Sequence, residues 1–412
     1  MKMNHLRWSA KPRLFVPYVL SVLWVLSTSV ATAQPQTLAT AEKLAANQSV
    51  TVICFGDSVT GLYYHTGGRR AYTDMVATGL QQAFPDAKVT AINAGVSGHT
   101  TAKALERIDK DVLAHRPDLV TVMFGLNDMT RVPLEDYRAN LREIVAQCRA
   151  IGAEVMLCTP NNVRDTESRP TAKLLEYAAA VREVAAAEQT ALADCYNAFE
   201  AVRDGDARAW AFLMSDEIHP NMAGHKLIAE TIVAAATGEA VALADVPAPE
   251  PMIPHTLALI DAKQTIRILA MPPYDTLLPA VLKEAAPESE VTVTTWTVAG
   301  KSMADFEAEA KAVRDNPPDL VFIAVPAEAP AEGIEDFKRH FTWTMNWSLS
   351  FGRQEWDVVA VPPSFTGPVD GEAAERDGWQ RQLIRAQDFN VLEGSPAPLE
   401  ERLRAWLAGQ LE

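Results

Sequence analysis

Short apolar runs alternate with longer helical patterns along this chain, and that alternation restricts its fold more than any other feature. The runs Val50–Phe55, Val89–Asn93, Leu119–Phe124 and Val155–Thr159 read as strands. Around them, Tyr72–Ala83, Ala102–Ala114, Leu134–Ala150 and Thr171–Thr190 read as helices, and a closing helix is expected from about Met222 to Ala236. Buried strands separated by helices pair in parallel, because a parallel neighbour is reached only by a crossover, and that crossover is right-handed. The expected fold class is α/β with a parallel sheet.

The rhythm then restarts. Gly238 to His255 carries Pro247, Pro249, Pro251 and Pro254, which disfavour both helix and sheet and mark a linker. Beyond it, Thr265–Met271, Val291–Thr297, Leu320–Val325 and Val358–Val361 read as strands. The two series overlay. Val52-Ile53-Cys54-Phe55 matches Ile268-Leu269-Ala270-Met271, and Asn93-Ala94-Gly95-Val96-Ser97 loosely matches Val298-Ala299-Gly300-Lys301-Ser302. Arg116-Pro117-Asp118-Leu119-Val120 matches Pro317-Pro318-Asp319-Leu320-Val321 closely. The expected organisation is an N-terminal segment at 34–48, a first domain at 49–238, a linker at 239–260 and a second, similar α/β domain at 261–412.

With 412 residues, 48% hydrophobic and 22% charged, the chain is globular, and its formal charge of −16 disfavours nucleic acid and anionic membrane surfaces as partners. Residues 1–33 read as an export signal. Lys2, Arg7, Lys11 and Arg13 give a basic start, Leu14 to Val30 is nearly all apolar, and Ala31-Thr32-Ala33 is a small-residue cleavage site. Cleavage after Ala33 predicts a periplasmic or extracellular protein without stable membrane insertion; an uncleaved anchor is the alternative. The four cysteines, Cys54, Cys148, Cys158 and Cys195, lack zinc-type spacing and fall in apolar runs or near them, so buried free thiols are expected although export permits disulfides.

The chemistry-bearing residues fall at strand ends, where open α/β sheets bind their ligands. The first strand ends in Gly56-Asp57-Ser58, the second in Asn93-Ala94-Gly95-Val96-Ser97-Gly98, and the third in Gly125-Leu126-Asn127-Asp128. Ser215-Asp216-Glu217-Ile218-His219-Pro220-Asn221 leads into the closing helix, with Pro220 suited to its first position. A serine hydroxyl is a weak nucleophile that needs a base, an orienting group and oxyanion donors. A three-residue separation on a turn lets the Asp216 carboxylate reach His219 Nδ1 and leaves Nε2 for Ser58.

Gly56-Asp57-Ser58, Gly95, Gly125-x-Asn127-Asp128 and Asp216-x-x-His219 resemble, in that order, the four signature blocks of the SGNH (GDSL-type) hydrolases, over about residues 50–237. The resemblance implies a three-layer flavodoxin-like sheet. It implies Ser58 as nucleophile, His219 as general base, Asp216 as its orienting carboxylate, and an oxyanion hole of the Ser58 N–H, the Gly95 N–H and the Asn127 amide. Asp57 and Asp128 are expected to bond loop N–H groups, His225 to pack or lie at the surface, Asn161 and Asn162 to form a turn or line a pocket, and Arg69 and Arg70 to be surface charge or, as the alternative, to contact an anionic substrate. No cofactor or metal is implied, since H-E-x-x-H and phosphate-loop spacings are missing from the sequence.

Overlaid on the first half, the second has Pro272-Pro273-Tyr274 in place of Gly56-Asp57-Ser58 and Pro326-Ala327-Glu328-Ala329 in place of Gly125–Asp128, with no later Asp-x-x-His. It is therefore expected to be non-catalytic, with Trp343, Trp347, Trp356 and Trp379 as core or as a sugar-stacking surface. The functional expectation is an exported serine esterase acting on a small acyl ester, with an O-acetylated carbohydrate as the favoured substrate. A lysophospholipase, a thioesterase or a sugar acyltransferase on the same scaffold are alternatives, and a non-enzymatic binding module is disfavoured.

Overall fold

Two parallel sheets organise the protein. The structure is a computed structural model that describes residues 38–412, so the expected export signal and its cleavage site lie outside the described residues. In the first sheet, β1 (Ser49–Gly56), β2 (Lys88–Gly95), β3 (Leu119–Met123), β4 (Glu154–Cys158) and β5 (Ala191–Ala193) run in the order β2-β1-β3-β4-β5, each parallel to its neighbour. β1 steps one way to β2, and every later connection steps the other way. Right-handed crossovers in opposite directions put helices on opposite faces. Tyr72–Ala83 and the closing helix Met222–Thr237 accordingly pack side by side, as do Leu134–Ala150 and Thr171–Glu188. The order reverses between β1 and β3, and a crevice opens at their carboxyl ends.

Strand and helix expectations hold to within a residue or two for most elements. β5 escapes the pattern because Ala-Leu-Ala is three residues without a β-branched side chain. The helix Cys195–Gly205 escapes it as well. The helix expected at 102–114 is broken into Thr101–Leu105, Ile108–Asp111 and a 3₁₀ turn Leu113–His115. The break falls at Arg107, whose guanidinium donates to Gly56 O and Ala94 O at the ends of β1 and β2. All four cysteines are buried free thiols, and burial pushes the Cys54 thiol up to about 11.

The second sheet, β6 (Ile266–Ala270), β7 (Val291–Thr295), β8 (Leu320–Ile323) and β9 (Asp357–Ala360), is also parallel and has the same order, β7-β6-β8-β9. The register matches too: Val52 pairs with Leu119, and its overlay partner Ile268 pairs with Leu320. Two acidic contacts recur. Asp118 accepts from Thr51 N at 2.7 Å, and Asp319 from Arg267 N at 2.8 Å. Glu154 accepts from Ala39 N and Thr40 N, both at 2.7 Å, at the start of the helix Ala39–Ala45. Asp357 accepts from His255 N at 3.2 Å and Thr256 N at 2.6 Å in the helix Pro254–Asp261. A carboxylate at a helix N-terminus satisfies free N–H groups and complements the helix dipole. Each sheet has its own apolar core, with Phe212 of the first half inserted in the second.

Arg69 and Arg70 are not surface charge. Arg70 forks onto Asp388 at 2.8 and 2.7 Å, and Arg69 donates to Pro249 O and Pro251 O, so both tie the first half to the proline-rich segment and the second half. Trp356 is core and donates to Ser348 O, Trp379 packs on Phe337, and Trp343 stacks on Trp347; the four do not form one surface.

Candidate active site

β1 delivers Ser58 to the crevice through a turn that only glycine permits. A Cβ on Gly56 would lie 2.6 Å from Met123 O and 2.0 Å from Thr60 Oγ1. Asp57, buried beneath, accepts from Val59 N at 3.0 Å. Ser58 Oγ then lies 2.9 Å from His219 Nε2, and His219 Nδ1 lies 2.8 Å from Asp216 Oδ2. The other Asp216 oxygen accepts from Ile218 N and His219 N at 2.8 and 2.7 Å. A carboxylate at Nδ1 holds the proton on that nitrogen, so the Nε2 lone pair faces the serine hydroxyl. Burial raises the Asp216 carboxyl, but the charge and hydrogen bond of His219 outweigh it and hold Asp216 below the usual carboxylate range.

The loop that carries Asp216 and His219 is closed by a bridge between Met214 and Pro220. Pro220 is therefore not the first helical residue. Asn221 caps the helix instead, accepting from Gly224 N at 3.2 Å. Asn161 and Asn162 are buried braces rather than turn or pocket residues. Asn161 donates to Ile218 O at 3.0 Å, and Asn162 bonds Glu200 and Trp210. His225 packs in the core and accepts from Tyr72 N at 2.9 Å. Asp128 accepts from Thr101 N and Oγ1. Burial pushes Asp57 up to about 6, with Asp128 adding to the rise and the Val59 N–H, His219 and Asn127 opposing it.

The expected oxyanion donors fare differently. The Ser58 N–H finds no partner among the described residues. The Gly95 N–H is not free as expected: it donates to Asn93 Oδ1 at 3.0 Å. Gly95 is a glycine for packing, since a Cβ there would meet Gly61 N at 2.2 Å. Three residues on, Gly98 has φ +74° and an N–H without a partner among the described residues. The Asn127 amide near it donates to His99 O at 3.1 Å and, over a longer 3.3 Å, to Asp57 Oδ2, and the longer bond is the one it would exchange for an oxyanion. The signal is present in the sequence, because Gly98 closes the same glycine block.

A second imidazole joins the site unanticipated. His65, on the 3₁₀ turn Tyr64–Thr66, is buried and stacks on His219 with ring centroids 4.0 Å apart and planes 16° apart. A lone histidine in a loop carries no pattern that marks it in sequence. His65, Asp216 and His219 present ligand atoms within 4.8 Å of one another, the one such group among the described residues, but the Asp216 and His219 atoms are already hydrogen-bonded to each other. Beside Asp216 opens a cavity of about 420 Å³ between the halves, lined by Arg164, Glu217, Lys338 and Trp343 among others. Burial pulls the Lys338 ammonium down to about 8.

Residues 54–227 match the model of the GDSL-like lipase/acylhydrolase family. An acetylxylan esterase of Geobacillus stearothermophilus is 29% identical over 177 residues, which span 39% of this chain and 78% of that protein. The isoamyl acetate-hydrolyzing esterase 1 homolog of Rattus norvegicus is 35% identical over 124 residues, 26% of this chain and 47% of that protein. Among solved structures, the lipase/acylhydrolase from Enterococcus faecalis is 29% identical, with 47% of this chain and 97% of that one covered and a TM-score of 0.41.

Proposed function

Residues 54–227 are a domain of the GDSL-like lipase/acylhydrolase family, a serine ester hydrolase domain, and from that premise we propose that the chain is an exported esterase that removes small acyl groups from O-acetylated carbohydrates. The observation that carries the reading is the line Ser58–His219–Asp216, with bonds of 2.9 and 2.8 Å at the carboxyl edge of the sheet.

In this reading His219 Nε2 takes the Ser58 proton as Oγ attacks the ester carbonyl. The oxyanion settles against the N–H groups of Ser58 and Gly98 and the Asn127 amide, with Gly98 in the place expected of Gly95. The tetrahedral centre collapses as His219 protonates the leaving alcohol, and Ser58 is left acylated. Water, deprotonated by His219, then releases the acid. Asp216 stabilises the imidazolium at both steps. The acyl choice rests on the acetylxylan and isoamyl acetate esterases among the relatives, both named for acetyl esters. Export rests on the composition of residues 1–33, and no helix among the described residues is long and apolar enough to cross a membrane. The second half is read as non-catalytic, since Tyr274 stands at the serine position with its hydroxyl bonded to Thr366 at 2.9 Å.

A panel of esters, from acetylated xylan to lysolipid, tests the reading. Acetyl-sugar hydrolysis that vanishes in Ser58→Ala is the expected result. A preference for lysolipid would overturn the substrate class, and full activity in Ser58→Ala would overturn Ser58 as the nucleophile.

A further inference from the structure

His65 is held in place from the other half of the molecule. Its Nδ1 lies 3.0 Å from Ser215 Oγ, and Ser215 Oγ is hydrogen-bonded to the Asn346 side-chain amide at 2.9 Å. Asn346 is fully buried on the helix Ile334–Ser348, and its amide meets that of Gln387, buried just past the end of Gly371–Ala386. With both amides turned, the Gln387 nitrogen donates to His65 O at 2.9 Å, its oxygen accepts from the Asn346 nitrogen, and the Asn346 oxygen accepts from Ser215 Oγ. Two second-half residues thus hold both ends of His65, side chain and carbonyl, and the other face of the ring rests on His219.

We propose that the second half positions the base: Asn346, through Ser215, holds the His65 ring against His219, and His65 keeps the His219 imidazole on the line between Ser58 and Asp216. This rests on reading those three residues as a triad. His65 is a positioning residue and donates nothing to Ser58; its Nε2 lies 3.9 Å from Asp216 Oδ2, beyond a hydrogen bond. An imidazole fixed on one face by a packed ring has few rotamers other than the one its hydrogen bonds select, and small misplacements of a reacting group are costly in rate. The ring also keeps water from one face of His219.

The charged and titratable groups around His65 come from several elements. They are Tyr64 on its own turn, Asp216 and His219 on the loop before Met222–Thr237, His225 on that helix, and Arg314 on the turn Lys311–Arg314. Burial, then His219, His225 and Arg314, hold His65 well below the ordinary imidazole range against the pull of Asp216, so the stacked partner stays neutral when His219 takes a proton.

The test uses the full chain with His65→Ala, His65→Phe and Asn346→Ala, with kcat, KM and melting temperature measured on p-nitrophenyl acetate from acid to neutral pH. His65→Ala should lower kcat by about ten- to a hundredfold with little change in KM. His65→Phe restores a packed face and should recover most of kcat. Asn346→Ala should lower kcat in the same direction by less, again with little change in KM. Folded Asn346→Ala and His65→Ala with unchanged kcat would overturn the proposal, as would a His65→Phe no faster than His65→Ala, or losses that only track the fraction folded. Ser58→Ala run alongside separates the readings: if it keeps its activity the triad itself is wrong, whereas an inactive Ser58→Ala with an unchanged His65→Ala sinks the positioning role alone.

Discussion

The two halves share strand order, register and acidic contacts, and differ in the connection after the first strand. After β1 the chain runs through residues 57–71 before the helix Tyr72–Ala83; after β6 it reaches the helix Tyr274–Ala285 through residues 271–273. The longer connection holds Ser58, His65, Arg69 and Arg70. The shorter one places Tyr274 in the core, fully buried and against Phe322. In the proposed reading, the same strand order carries chemistry at one strand end and packing at the other. Scaffold and site are separable: the sheet supplies an edge, and the connections at that edge decide whether a reaction occurs there.

Replacing the residues at corresponding strand ends puts that contrast under the heaviest load. Ser58→Ala should lower kcat by about 10⁴-fold or more, whereas Tyr274→Phe should leave kcat on p-nitrophenyl acetate within about twofold. A large loss in Tyr274→Phe would give the second strand end a role that the proposed reading denies it. Next in size is the third strand end. Asn127→Ala should cost about 10²- to 10³-fold in kcat with KM little changed, and the exposed Glu328 at the overlaid position should tolerate alanine with unchanged kinetics.

The scaffold should show the opposite symmetry. Asp118→Ala and Asp319→Ala each remove a carboxylate that accepts from a neighbouring strand, and each should lower stability by about 1–3 kcal/mol in urea unfolding. A loss confined to Asp118→Ala would show that the repeated contact does different work in the two halves.

A further effect on the scaffold is a slope with pH. Burial, reinforced by His219, pushes His225 down to about 3 from an ordinary value of 6.5. The unfolded chain therefore takes up this proton first as pH falls. The stability that His225 lends is present above 6.5 and is lost through the interval down to about 3. The urea midpoint should fall over that range, and His225→Gln should flatten the fall. An unchanged slope in His225→Gln would place the acid sensitivity elsewhere.

Much of this is legible in the sequence because it is periodic or punctuated. Alternating apolar runs mark the two sheets, and the match of Asp118 with Asp319 places β3 and β8 in equivalent registers. The blocks holding Ser58 and Asn127 sit at strand ends, and the block holding Asp216 and His219 at the entry to the closing helix, where the pattern itself draws attention. Gly95 misleads because two glycines in one block are equivalent in sequence; only φ and a bond to Asn93 tell packing from a free donor. Arg70 misleads because its partner Asp388 lies 318 residues away. His65 leaves no mark for the same reason: its supports, Ser215, Asn346 and Gln387, come from three distant segments and obey no spacing rule.

The bond from Asn346 to Ser215 joins residues 131 apart in the chain. During synthesis, the segment with Ser58, His65 and His219 emerges and folds first, as N-terminal units do. For all the time it takes to make the rest, the loop with Ser215 has no Asn346 to brace it. A translation product that stops at the linker would hold every signature residue of a hydrolase and still lack this support. The last third of the chain therefore acts as a completion signal, and the same bond sets a limit on how far the protein can be shortened by engineering.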